Sequence, residues 1–131
     1  VFNNDMDRKD LEQIIHPRLS MKSNQLFENT FREHPNTIIV YEASLLVQTG
    51  RHLDFPALLV ADAPQRLRID RLCSRNNLSK KDADERIRTQ QPQQTLNAEA
   101  TWVLDTNLSI ADLEKNIRAL WPQVLAYYQL G

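Results

Sequence analysis

The chain has 131 residues, of which 41% are hydrophobic and 25% charged. That is one domain by length and an ordinary globular composition, which excludes a collagen-like or low-complexity protein, and no apolar run is long enough to cross a membrane. Sixteen Lys and Arg against 17 Asp and Glu leave a net charge of −1, so bulk electrostatics argues for neither nucleic acid nor an anionic membrane as a partner.

The single cysteine, Cys73, has no internal disulfide partner, which fits a reducing, cytoplasmic setting. With two glycines, Gly50 and Gly131, the chain cannot supply a G-x-x-x-x-G-K-[ST] phosphate loop. It opens at Val1 followed by polar Asn3, Asn4 and Asp5, with neither an initiator Met nor a signal peptide. It reads as part of a longer chain.

In chain order, Leu11, Ile14 and Ile15 space apolar groups for a helix over about residues 7–15. His16-Pro17 is expected to break it, because proline disfavours the helical state of the residue before it, and Pro17 then starts a second helix that runs to about His34. Pro35-Asn36 is a turn. The runs Thr37–Tyr41, Ala57–Ala61 and Thr101–Leu104 are short and lack clean alternation. They read as buried, parallel strands ending at Glu42, Asp62 and Asp105. Ala43–Gly50 is a loop or short helix. Pro64 opens a helix that Asn76-Asn77 breaks. Ser79 with Asp82 and Ser109 with Asp112 resemble capping boxes, starting helices at about Lys80 and before Leu113. Pro92 stops or kinks the first, and Pro122 is expected to bend the second. Gln90–Gln94 is glutamine-heavy but short. Strands alternating with helices specify an α/β layered fold with a mostly parallel sheet. Three strands are few for such a sheet, so further strands are expected on the N-terminal side, and their loss would leave edges prone to association.

Arg68, Arg71 and Arg75 fall at i, i+3 and i+7, on one helical face. With Arg66, Lys80, Lys81, Arg86 and Arg88 they form a basic stretch. One reading is a lid that closes over a polyphosphate, since guanidinium groups grip phosphate oxygens in fork geometry. The other is a solvated face paired to Asp70, Asp82, Asp84 and Glu85. At the C-terminal ends of strands, where open parallel sheets bind ligands, Glu42 can serve a metal or a hydroxyl proton, or only the fold. Asp62 reads as a helix N-cap, and Asp105 as a cap or nucleotide-loop residue. His16, His34, His52 and Cys73 show no metal-ligand spacing, so no metal site is expected from them. Cys73 with His16 lacks any signature of a nucleophile pair.

Taken in order, these segments resemble the dephospho-coenzyme A kinase family of P-loop kinases over nearly the whole chain. Leu11-Glu12-Gln13-Ile14-Ile15-His16-Pro17-Arg18 is similar to L-E-x-I-x-H-P-x. Tyr41–Gly50 is similar to D-x-P-L-L-F-E-T-G. Arg71-Leu72 through Arg75-Asn76-Asn77-Leu78-Ser79 matches R-L-x-x-R-D-G-L-S, and Ala83, Arg86-Ile87, Gln90 and Pro92 continue with A-x-x-R-I-x-x-Q-x-P. The resemblance implies a three-layer P-loop-kinase-like α/β fold with a parallel sheet and a helical lid insertion, here as a fragment lacking the N-terminal strands. It divides the chain into a helical acceptor-binding region (1–36), an α/β core (37–72 and 99–131) and a lid (73–98).

The activity implied is transfer of a phosphoryl group from ATP, with Mg2+, to the 3′-hydroxyl of the dephospho-coenzyme A ribose. The phosphate loop, most metal ligands and the acidic activator of the acceptor would lie upstream, so this chain alone would not catalyse. Arg75 is then the foremost phosphate contact, with Arg71 and Arg86 behind it, and Glu42 stands where the family has aspartate near the phosphates. Gln90, Asp105 and Asn107 belong to the nucleotide side. His16, Pro17 and Arg18 belong to the acceptor side. Ser44, Gln48 and Asn76 replace proline, glutamate and aspartate of the family pattern. Leu96 falls near a usual lysine, and Thr101 and Thr106 replace aspartate and asparagine. These departures keep two alternatives in view: another small-molecule P-loop kinase, and a non-catalytic binding or scaffold domain of the same descent.

Overall fold

The computed structural model describes residues 5–129. The chain divides into two compact units, one ending at Glu42 and the other beginning at Ala43.

The first unit is built on one helix, α1 (Asp5–Glu33), of 29 residues with Pro17 inside it. The expected break at His16-Pro17 does not occur. An interior proline forfeits one hydrogen bond and crowds the preceding turn, at about 3 kcal/mol. Ending the helix there would instead leave several N–H and C=O groups without partners on each side of the break. The Leu-, Glu-, Gln- and Lys-containing turns on either side favour continuation. Pro35-Asn36 forms the expected turn, with the Thr37 N–H donating to the His34 carbonyl at 3.1 Å. The run Thr37–Tyr41, expected as a strand, is neither helix nor strand. A strand is defined by its neighbour, and no backbone among the described residues pairs with this run. It is held instead by packing within its own unit, where the Tyr41 ring meets Phe27 edge to face at 5.5 Å.

In the second unit a short 3-10 helix, Arg51–Asp54, follows Gly50, whose φ of 71° suits a residue without a Cβ. Then come β1 (Leu59–Asp62), α2 (Gln65–Asn76), α3 (Lys80–Arg88), α4 (Gln93–Glu99), β2 (Trp102–Asp105) and α5 (Ile110–Tyr127). The two strands are parallel, as the sequence predicts, in the register Leu59–Trp102, Val60–Val103, Ala61–Leu104 and Asp62–Asp105. Thr101 extends the ladder. Its N–H donates to the Leu58 carbonyl at 2.8 Å, and its hydroxyl accepts from the Leu58 N–H at 3.1 Å.

Helix α4 was not foreseen: Pro92 caps it, and Gln93–Glu99 form two turns in the glutamine-heavy stretch. α4 packs on β1, α5 on β2, and α2 on α3. Val60 and Ala63 are buried beside the sheet, and Ala83 and Ile87 on α3. Ala83 is fully buried, and its small side chain lets α3 approach closely. α5 is fixed at its far end by Tyr127, whose ring meets Trp102 edge to face at 5.3 Å and whose hydroxyl donates to the Pro56 carbonyl at 2.7 Å. α5 runs through Pro122 as one helix.

Candidate functional site

Strands β1 and β2 end together at the paired Asp62 and Asp105, so one sheet edge gathers their C-termini, the edge at which open parallel sheets bind ligands. Helix α2 leaves from that edge. Its arginine face, read from the i, i+3, i+7 spacing, opens on a groove of about 820 Å³ whose lining includes Arg68, Arg71, Arg75, Asp70 and Gln90 with apolar Leu67 and Ile87.

The arginines have neutral partners. Arg68 Nη2 donates to Gln90 Oε1 at 2.9 Å. Arg71 donates twice to Thr106, from Nη1 to Oγ1 at 3.1 Å and from Nη2 to the carbonyl at 2.7 Å. Arg75 Nε donates to Asn76 Oδ1 at 3.1 Å. Among the described residues none of the three forms an ion pair. Of the four acidic residues that a solvated, paired face would use, two are engaged elsewhere, and Asp70 lines the same groove. Asp84 accepts from Arg88 at 2.8 Å and from Gln65 at 2.9 Å, and Asp82 caps α3 with Ser79. Three guanidinium groups on one face, with neutral partners among the described residues, have the chemistry to grip an anion.

The other predicted residues are distributed as follows. Gln90 lines the groove and orients Arg68. Arg86 is exposed in the last turn of α3 and is not part of that lining. Asp105 closes a turn beyond β2, its Oδ1 accepting from the Asn107 N–H at 2.8 Å; it is not the cap of α5, which is Ser109. Asp62 is not the N-cap of α2 either. That position is Pro64, with no side-chain cap, and the Asp62 carboxylate accepts from Asn97 Nδ2 at 2.8 Å. Proline fixes the first turn through its φ and needs no carboxylate to do so. His16, half-buried, and the exposed Pro17 and Arg18 lie mid-way along α1 in the first unit, and exposed Glu42 is that unit's last residue.

Sequence reasoning missed Gln93 and Asn97, which join Asp62 and Thr106 in the network behind Arg71. Gln93 donates to Asn97 Oδ1 at 3.0 Å, Asn97 to Asp62, and the Thr106 hydroxyl to the Asp62 carbonyl at 2.9 Å. The sequence reads Asp62 as a helix cap and Thr106 as a departure from a family pattern, neither as a partner of the other. Among the described residues no three His, Cys, Asp or Glu converge as a metal cage.

The model of the dephospho-CoA kinase family matches residues 1–112. The chain belongs to the dephospho-CoA kinase family. It is 34% identical over 111 residues to a dephospho-CoA kinase of Corynebacterium jeikeium, covering 85% of this chain and 57% of that protein. It is 31% identical over 124 residues to one of Moorella thermoacetica, covering 95% and 58%. Among solved structures, TT1252 from Thermus thermophilus superposes with a TM-score of 0.72 at 30% identity, over 94% of this chain and 62% of that one. The mixed α/β arrangement with parallel strands thus agrees with the P-loop-kinase-like fold expected for a dephospho-CoA kinase. The chain spans somewhat under three fifths of the length of these two curated relatives. No helix of the described residues is long and apolar enough to cross a membrane.

Proposed function

We propose that the protein containing this chain transfers the terminal phosphoryl group of ATP, brought with its magnesium ion, to the 3′-hydroxyl of dephospho-coenzyme A, and that residues 73–98 form the lid over the phosphates. Membership of the dephospho-CoA kinase family supports the reaction. The observation that carries the site is the groove on α2, where Arg68, Arg71 and Arg75 lie side by side without a carboxylate partner.

Phosphoryl transfer asks little covalent chemistry of a protein. The transferring group spreads negative charge over its equatorial oxygens, and catalysis is positioning plus electrostatic stabilisation. Arg75 is the donor assigned to those oxygens, because its partner among the described residues is the adjacent Asn76 and that bond is readily exchanged for a phosphate. Arg71 and Arg86 stand behind it. Gln90 holds Arg68, and Asp105 with Asn107 shapes the loop that takes the adenine side. His16, Pro17 and Arg18 on α1 are assigned to the acceptor within residues 1–36, with residues 37–72 and 99–131 as core and 73–98 as lid. Glu42 is assigned to the phosphate end.

The test is turnover of the full-length protein with ATP and dephospho-coenzyme A. Arg75→Ala is expected to lower kcat about 10²-fold, as for loss of one transition-state donor. Unchanged turnover removes Arg75 from the site. Phosphorylation of a nucleoside monophosphate but not of dephospho-coenzyme A replaces the acceptor, and ligand binding without ADP formation replaces the enzyme with a binding domain.

A further inference from the structure

We propose that Thr106 is the latch that sets the rotation of α2, and that Arg71 is therefore a positioning residue rather than a phosphate contact. The assignment rests on the kinase reading above and deepens it. α2 packs on α3, and the hydrogen bonds Arg68–Gln90 and Gln65–Asp84 lie within that part of the chain. The helical pair is therefore a self-contained hairpin. Its side-chain tie to the strand edge is the guanidinium fork of Arg71, which spends both Nη atoms on one residue, Thr106. A planar fork on two acceptors of one residue fixes direction as well as distance, which a single bond does not.

The acceptor is itself held. The Thr106 N–H and hydroxyl both donate to the Asp62 carbonyl, at 2.8 and 2.9 Å. The hydroxyl proton thus points at β1, and an oxygen lone pair is left for Arg71. The same Asp62 takes the Asn97 amide at 2.8 Å on its carboxylate, bringing in α4. One hydroxyl therefore stands where β1, β2, α2 and α4 meet. Arg75 lies four residues beyond Arg71, on the same side of α2. A helix that turns about its axis carries the Arg75 guanidinium across the groove, so the Thr106 hydroxyl governs where Arg75 points without touching the reacting atoms. Transition-state donors tolerate little misplacement.

Thr106→Val keeps the shape of the side chain and the carbonyl but removes the hydroxyl, whereas Thr106→Ser keeps the hydroxyl. Both are made in the full-length protein, and amide hydrogen exchange over residues 65–76 is measured beside steady-state kinetics with ATP and dephospho-coenzyme A. Thr106→Val is expected to speed exchange in α2 about fivefold, the effect of losing the one hydroxyl bond that reaches that helix, from Arg71 Nη1. It is expected to lower kcat about tenfold with the KM for dephospho-coenzyme A within about twofold, as misalignment in the transition state predicts. Thr106→Ser is expected to restore both to within about threefold, since the hydroxyl is regained. Arg71→Lys, which keeps the charge and loses the fork, is expected to loosen α2 in the same way, and it serves if Thr106→Val does not fold. Wild-type exchange in α2 of Thr106→Val, or a Thr106→Ser protein as impaired as Thr106→Val, overturns the latch. Faster exchange with wild-type kcat overturns the positioning role. A wild-type protein without turnover, in which Thr106→Val still loosens α2, overturns the kinase reading and leaves the latch standing.

Discussion

At Asn77 the backbone takes φ 52° and ψ 41°, the left-handed conformation that closes α2. Most side chains meet the following carbonyl there, and asparagine and glycine do not suffer equally. The resemblance to R-D-G-L-S puts Asn77 at the glycine of the pattern, so the family motif records a backbone requirement rather than a chemical one. Asn77→Gly is expected to leave the melting temperature unchanged or raise it, whereas Asn77→Val should cost about 1–2 kcal/mol in a denaturant titration. The arginine face was equally legible, because helical spacing places Arg68, Arg71 and Arg75 together whatever they bind. The pairings of Arg68 and Arg71 were not legible. Gln90 lies 22 positions from Arg68, and Thr106 lies 35 from Arg71. No local pattern ties residues so far apart. The sequence also offered Asp70, Asp82, Asp84 and Glu85 as nearer and electrostatically plausible partners.

Among the elements, helix starts were the most readable feature. Ser79 Oγ accepts from the Asp82 N–H at 3.1 Å and donates to Asp82 Oδ2 at 2.7 Å. Ser109 does the same with Asp112, at 3.2 and 2.6 Å. Each serine satisfies an N–H that the helix leaves unpaired, and each aspartate places negative charge at the positive end of the helix. Ser79→Ala and Ser109→Ala are each expected to cost about 1 kcal/mol by denaturant midpoint, and to add in the double variant because the caps share no partner. The misread elements share a cause. Proline was weighed by its local preference at Pro17, where the surrounding turns override it, and the run Thr37–Tyr41 was weighed by β-propensity, which expresses itself only against a paired neighbour. α4 escaped notice because glutamines carry no apolar periodicity. The Gln93–Asn97 bond that stitches the helix is an i, i+4 side-chain pair.

For the molecule as a whole, a tyrosine just beyond α5 adds a pH dependence in the alkaline range. Tyr128 titrates above its ordinary 10.0, first because it is partly buried and second because of the neighbouring Tyr127. The folded state holds the proton more tightly than the unfolded one, so the associated stability is complete below pH 10.0 and is lost as pH rises past it. Thermal melts above that pH are expected to fall more steeply for the wild type than for Tyr128→Phe, which has no proton there to lose.

The pairing of β1 with β2 has a separate consequence. Leu58 and Thr101, which bond at the start of the ladder, are 43 residues apart, and the α2–α3 hairpin lies wholly between them. Local helices close quickly, whereas a parallel pair must await its far strand. On a ribosome adding about 5–20 residues each second, β1 emerges roughly 2–9 s before β2 does. Among the described residues β2 is the strand that pairs with β1. Of these elements the newborn chain therefore has the residues of the α2–α3 hairpin before those of the strand pair that brackets it, and the time β1 waits for β2 is set by the pace of translation rather than by the stability of the completed fold.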